Sequence, residues 1–117
     1  MRNEQQAPLI SHVYELGLMD AVAVSQLDCF AAGVLFARTE GIVPAPEPTH
    51  ALAEIVRIVN ECKATGETKV LLTALCGHGH FDLAAYDEFL NGRMLDEVVS
   101  DERFAAGLAN LPQVAGV

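Results

Sequence analysis

Apolar residues recur at two different spacings along the chain, and the two spacings predict different elements. From Leu9 to Leu16 they lie three or four positions apart, which predicts a short helix closed by Gly17. The run "AVAV" around Val22 predicts a short strand. The sequence "SQLD" at 25–28 has the S-x-x-D form of a helix start. A strand that feeds a helix is therefore expected here.

Two longer helices follow, separated by a proline-rich loop. The stretch "QLDCFAAGVLFARTEG", which ends at Gly41, is apolar almost all round and predicts a helix buried on more than one side. The prolines of "IVPAPEPTHA" predict an extended, stiff loop. This loop delivers Glu47 to an amphipathic helix that has Pro48 in its first turn and ends at Gly66.

The second half of the chain begins with a continuous apolar run. "KVLLTALCG", bounded by Lys69 and Gly77, has the pattern of a strand covered on both faces in a parallel sheet. A helix follows with Asp82 as its predicted N-cap and Gly92 at its end, and a last helix is expected from about Ser100.

Helices that alternate with short strands predict an α/β fold. The expected architecture is a single domain, 1–117, formed by a small helix-rich, three-layer-like unit with a short parallel sheet of two to three strands. Residues 93–117 form a helical tail, loosely ordered after Pro112. Because only two strands are clear, their edges lack partners within the chain. Another chain, a second copy or further sequence should cover them.

Composition and charge narrow the function. The 117 residues suffice for one domain, and the net charge of −9 repels phosphate backbones and anionic lipid, which argues against nucleic-acid and membrane-surface roles. No signal-peptide core or transmembrane run is evident, so the cytoplasm is the expected location. The three cysteines form no C-x-x-C pair and indicate no disulfide framework.

The stretch "ALCGHGHFD", from Ala74 to Asp82, concentrates the candidate chemistry. It lies between the predicted strand and the next helix, where open α/β folds bind ligands, although a plain connection would look the same. The types of Cys76, His78 and His80 suit a zinc or copper site. Cys76 could instead be a nucleophile, with a buried, inert thiol as the simpler interpretation.

Two stretches together indicate a family. "ARTEGIVPAPEPTHALAE" and "KVLLTALCGHGHFDLAAYDEFL" resemble the C-terminal part of the tryptophan synthase β subunit, specifically its longer, second type of chain. An E-G-I-x-P-A-x-E-x-x-H-A loop and an S-G-H-G-x-F-D turn recur in that family. The resemblance runs from about Ala7 to Leu90.

The resemblance implies a partial version of the large domain of fold type II pyridoxal-phosphate enzymes, lyases of tryptophan biosynthesis. It implies no catalytic residue in this chain. Glu47 matches a glutamate near the cofactor ring, and Cys76 matches a serine that hydrogen-bonds the pyridine nitrogen. Gly77 lets the ring approach. More weakly implied cofactor neighbours are His78, Gly79 and His80.

This chain departs from the family in two ways. A thiol at Cys76 is a weaker hydrogen-bonding group than a hydroxyl. In addition, neither Lys63 nor Lys69, the only lysines, has the flanking sequence of a Schiff-base lysine, and no glycine-rich phosphate cup is present. No catalysis by the chain alone is expected, and pyridoxal phosphate should bind only with a complementing chain.

Three hypotheses follow. The first is a stand-alone, non-catalytic ligand-binding or assembly module that retains one wall of the cofactor site and forms a homodimer. The second is the smaller piece of a split enzyme, active only with a separate N-terminal tryptophan synthase β-like chain. The third is a metal or thiol site at Cys76, His78 and His80.

Overall fold

The computed structural model describes residues 8–96 and 100–108, and within them the regular structure is helical. The α-helices are α1 (Pro8–Glu15), α2 (Gln26–Glu40), α3 (Pro46–Thr65), α4 (Leu83–Leu90) and α5 (Asp101–Leu108), with a 3-10 turn at Gly79–Phe81 before α4. Each predicted helix is confirmed.

The residues at the helix ends are those that the sequence predicted. Ser25 Oγ accepts a hydrogen bond from the backbone N–H of Asp28 at 3.1 Å, which caps α2. Gly41 and Gly66 close α2 and α3 in the left-handed conformation, with φ of 72° and 75°. Asp82 is the N-cap residue of α4, but its side chain makes no capping hydrogen bond.

The core lies where α2 packs against α3 and α4. The Phe30 ring of α2 meets the Tyr86 ring of α4 edge to face, with centroids 4.9 Å apart, and stacks on Phe89 at 5.9 Å. Thr49 and Leu52 of α3 are buried as well. Because α2 contacts both α3 and α4, it holds the two helices that border the candidate site.

The predicted parallel sheet is not formed among the described residues. Neither the run around Val22 nor the segment from Lys69 to Cys76 is a strand, and the described part of the chain contains one isolated antiparallel bridge, between Pro44 and His78. A strand requires a neighbour for its backbone N–H and C=O groups, and the two predicted strands do not pair. The helix-rich part of the prediction is confirmed, whereas the predicted sheet is not found among the described residues.

Two further predictions concern the helical tail and the absence of a membrane-spanning segment. Part of the helical tail, residues 97–99 and 109–117, including the stretch after Pro112, lies outside the described residues. Within 8–96 and 100–108, no helix is long and apolar enough to cross a membrane.

Candidate functional site

The proline-rich loop and the glycine-rich turn, far apart in sequence, are joined by backbone hydrogen bonds. The N–H of Ala45 donates to the carbonyl of Gly77 at 3.0 Å, and the N–H of Gly79 donates to the carbonyl of Val43 at 2.8 Å. This pair of bonds is a short antiparallel ladder. It sets the residue before the first turn of α3 beside the residue that follows Cys76.

Tyr86 locks this ladder from the core side. Its hydroxyl donates to the carbonyl of Pro44 at 2.7 Å, and its side chain is 5% exposed. Burial, with a smaller contribution from the carboxylate of Asp82, raises the pKa of Tyr86 to about 12. The hydroxyl therefore stays protonated and able to donate at neutral pH.

Glycines are required where the loop and the turn touch. A Cβ added at Gly79 would lie 2.5 Å from the carbonyl oxygen of Pro44 and 2.8 Å from Cγ1 of Val43, and one at Gly77 would lie 2.9 Å from Cβ of Ala45. Neither Gly77 nor Gly79 has a positive φ. Their role is close approach of two backbones, not a left-handed turn.

The three principal candidate residues lie at the rim of this ladder. Glu47 is exposed in the first turn of α3, and Cys76 is exposed immediately before the bridged Gly77, which is half-buried. The structure thus brings the two motifs together, while the side chains of Glu47 and Cys76 both face open space. Whether they contact a cofactor stays a prediction.

The more weakly implied residues, His78, Gly79 and His80, form the glycine-rich turn itself. His78 and His80 place their rings 4.7 Å apart, and the backbone N–H of His80 donates to Nδ1 of His78 at 3.4 Å. The ring of Phe81, 92% exposed, lies 5.7 Å from that of His78. His50 instead faces its own helix, with Nδ1 3.1 Å from the carbonyl oxygen of Glu47.

The expectation that the Cys76 thiol is buried is wrong. Its side chain is exposed, because nothing in the described chain covers the outer side of the segment that precedes it. Cys29, by contrast, is 1% exposed, and burial raises the pKa of its thiol. Among the described residues no group of three or more histidine, cysteine, aspartate or glutamate side chains could hold a metal ion, so no metal site is proposed.

The two lysines belong to the last turn of α3 and to the segment that follows this helix. Lys63 lies in the last turn of α3, and Lys69 pairs with Glu67 at 3.1 Å on an exposed surface. Two grooves of the described chain lie elsewhere. One, of about 450 Å³, lies between α2, α3 and residues 22–25, and one of about 280 Å³ lies between α3 and residues 70–73.

The residues that hold the site together were not all foreseen. Tyr86 lies in the helix predicted after Asp82, but its hydrogen bond to Pro44 spans 42 positions of sequence. Nothing local signals such a pairing. The exposed Phe81 in the turn was likewise given no role.

Comparison with known proteins finds relatives of this chain. The chain is 52% identical over 96 residues to tryptophan synthase beta chain 2 of Aquifex aeolicus, an alignment that covers 82% of this chain and 22% of that relative. It is 48% identical over 94 residues to tryptophan synthase beta chain 2 of Methanosarcina mazei, covering 80% and 21%. With tryptophan synthase beta chain of Pyrococcus horikoshii the identity is 41% over 96 residues.

These matches show that the chain is homologous to the C-terminal part of tryptophan synthase β chains. It spans about a fifth of the length of these curated relatives. No family model matches the chain.

Proposed function

We propose that this chain supplies one wall of a pyridoxal-phosphate site of the tryptophan synthase β type and does not catalyse a reaction alone. A second polypeptide, equivalent to the rest of the relatives, would complete the site with the Schiff-base lysine and the phosphate cup. The homology to tryptophan synthase β chains supports the cofactor class, because that family depends on pyridoxal phosphate. The match covers 22% of that relative, so the groups in its unmatched part would have to come from elsewhere.

The observation on which the proposal rests is the ladder between the proline-rich loop and the glycine-rich turn. The bonds from Ala45 to Gly77 and from Gly79 to Val43 hold both motifs of the resemblance in one place. Since Ala45 immediately precedes α3 and Gly77 follows Cys76, the two principal candidate side chains project from neighbouring backbone.

The residues present fit one side of the cofactor and not the whole of it. Cys76 would offer its thiol to the pyridine nitrogen, a weak hydrogen bond that positions the ring. Glu47 would lie beside the ring at the start of α3, and Gly77 would leave room for its face. Pyridoxal phosphate, when bound, supplies an electron sink for carbanion chemistry. Lys63 lies in the last turn of α3 and Lys69 pairs with Glu67, so the phosphate would be held by groups of the second polypeptide.

The alternative in which the chain acts alone, as a homodimeric ligand-binding or assembly module, stays a prediction. The bare apolar segment at residues 70–75 favours the completed site, because a module built to act alone would be expected to cover that surface itself. Both the completed site and the stand-alone module predict that the isolated chain has no β-replacement activity.

A chimera tests the proposed wall without depending on assembly. The matched 96 residues of the Aquifex aeolicus relative are replaced by the corresponding part of this chain. Pyridoxal phosphate is then titrated while the visible absorbance of the bound cofactor is recorded. We expect the chimera to bind the cofactor within about tenfold of the unmodified relative, a difference of about 1.4 kcal/mol. A folded chimera that binds no cofactor would overturn the proposal.

A further inference from the structure

Gly33 lies in the middle of α2, where glycine is an unfavourable residue. It is buried and has no positive φ, so the backbone of the helix does not require a glycine there. Alanine at the same position would favour the helix more strongly. A glycine inside a helix therefore points to a packing requirement, and the surroundings of Gly33 supply one.

The space beside Gly33 is taken by two side chains from other helices. A Cβ added at Gly33 would lie 2.7 Å from the hydroxyl oxygen of Tyr86 and 2.8 Å from Cγ2 of Thr49. Nonbonded carbon atoms pack at about 3.5–4.0 Å, so both distances are overlaps. Thr49 is 0% and Tyr86 5% exposed, which means that neither side chain can move aside into solvent. A larger residue on α2 would have to shift a close-packed interior.

Both of these side chains hold the proline-rich loop. The hydroxyl of Tyr86 donates to the carbonyl of Pro44. The hydroxyl of Thr49 donates to the carbonyl of Pro46. The two carbonyls flank Ala45, whose N–H forms one bond of the ladder. Helix α2 contributes no candidate residue, yet it contacts the two groups that fix the loop of the candidate site.

We propose that Gly33 is a positioning residue of the candidate site. Its missing side chain seats the hydroxyl of Tyr86 and the methyl group of Thr49, and these two groups set the path of the loop that carries Glu47 into the first turn of α3. A side chain at Gly33 displaces the Tyr86 hydroxyl and loosens the ladder. The wall then fits the cofactor less well, a consequence that rests on the function proposed above.

Amide hydrogen exchange in the full chain tests the positioning role without any cofactor. Gly33→Ala should speed exchange of the ladder N–H groups of Ala45 and Gly79 at least about tenfold relative to the N–H of Ile58 inside α3. The ratio removes a uniform change in stability, because global unfolding exposes all three amides by the same factor. Gly107→Ala is the matched control, since nothing lies within 4 Å of its added Cβ. It should leave the ratio within about twofold of the wild type.

A second substitution separates the overlap from any general effect of an added methyl group. Thr49→Ser removes Cγ2 and keeps the hydroxyl that donates to Pro46. Combined with Gly33→Ala, it gives the added methyl group room to move away from Tyr86. This double variant should return the exchange ratio to within about threefold of the wild type. Gly33→Ala with Tyr86→Phe should not restore the ratio, because the bond to Pro44 is lost with the hydroxyl.

The chimera described above provides the cofactor readout. Gly33→Ala within the chimera should weaken pyridoxal-phosphate binding at least about fivefold, measured from the visible absorbance of the bound cofactor. Addition of Thr49→Ser should recover the binding. If circular dichroism shows that Gly33→Ala is unfolded, refolding on addition of Thr49→Ser supports the positioning role, and failure to refold overturns it.

The remaining outcomes distinguish this inference from the proposed function. An exchange ratio that Gly33→Ala leaves unchanged, or that Thr49→Ser does not restore, would overturn the positioning role even if the chimera binds cofactor. Equal cofactor binding by the chimera with and without Gly33→Ala would overturn the role of Gly33 towards the cofactor and leave the proposed wall standing. A chimera that binds no cofactor would overturn the wall alone, since exchange in the full chain decides how Gly33 acts on the ladder.

Discussion

Substitution of Tyr86 by phenylalanine probes the contact that locks the candidate site to the core. The hydroxyl of Tyr86 donates at 2.7 Å to the carbonyl of Pro44, and both residues are buried. The Phe variant keeps the ring contact with Phe30, so that hydrophobic packing is largely unchanged. The loss is the hydrogen bond, which leaves a buried carbonyl oxygen without its donor.

The expected cost follows from that orphaned acceptor. An unsatisfied buried carbonyl costs about 1–3 kcal/mol of unfolding free energy. With a urea m-value of about 2 kcal/mol/M, the midpoint of unfolding should fall by about 0.5–1.5 M. Tyr14→Phe is the matched control, because Tyr14 lies on α1 and is 52% exposed. Its midpoint should stay within about 0.25 M of the wild type, equivalent to about 0.5 kcal/mol.

A pH titration tests the same contact independently. Because the folded pKa of Tyr86 is raised from 10.0 to about 12, the folded state retains a proton that the unfolded state releases between these values. The stabilisation is complete below pH 10 and is lost as the pH rises towards 12. Tyr86→Phe should lack this component of the pH dependence. If Tyr86→Phe and Tyr14→Phe shift the midpoint equally, or the two pH profiles coincide, Tyr86 does not lock the ladder.

Two further predictions concern the turn and the thiols. Gly79→Ala should lower unfolding free energy by about 1–3 kcal/mol because its Cβ would overlap the carbonyl oxygen of Pro44. Gly107→Ala, with nothing within 4 Å, should leave it unchanged or raise it in the same urea assay. With an aromatic disulfide reagent, exposed Cys76 should react fast and buried Cys29 only as the chain unfolds. Cys76→Ser should remove the fast phase, and equally fast labelling of Cys29 would contradict the packing of α2 on α3.

Local chemistry was sufficient to predict the helices. The hydroxyl of Ser25 and the glycines at 41 and 66 specify helix ends through contacts within four residues, and the structure has those ends. The segment from Lys69 to Cys76 was assigned as a buried strand from its composition. That assignment depends on neighbouring strands that the described residues do not supply, and most of the segment is exposed.

The candidate site, like the fold, was predictable from the sequence only in part. Its two motifs were recognised from sequence, and the ladder between Val43–Ala45 and Gly77–Gly79 brings them together. The bond from Tyr86 to Pro44 was not predictable, since tertiary packing alone joins residues 42 positions apart. Neither glycine of the turn has a positive φ, and both lie where the loop and the turn approach closely.

The most direct test of the central claim is pyridoxal-phosphate binding by the chimera and by its Cys76→Ser variant. The unmodified relative and the relative that lacks the matched region serve as positive and negative controls. If this chain forms a wall of the site, the chimera binds the cofactor, and the serine hydroxyl tightens binding about fivefold, or about 1 kcal/mol. A folded chimera whose visible spectrum matches that of the truncated relative, with or without the serine, would contradict the claim.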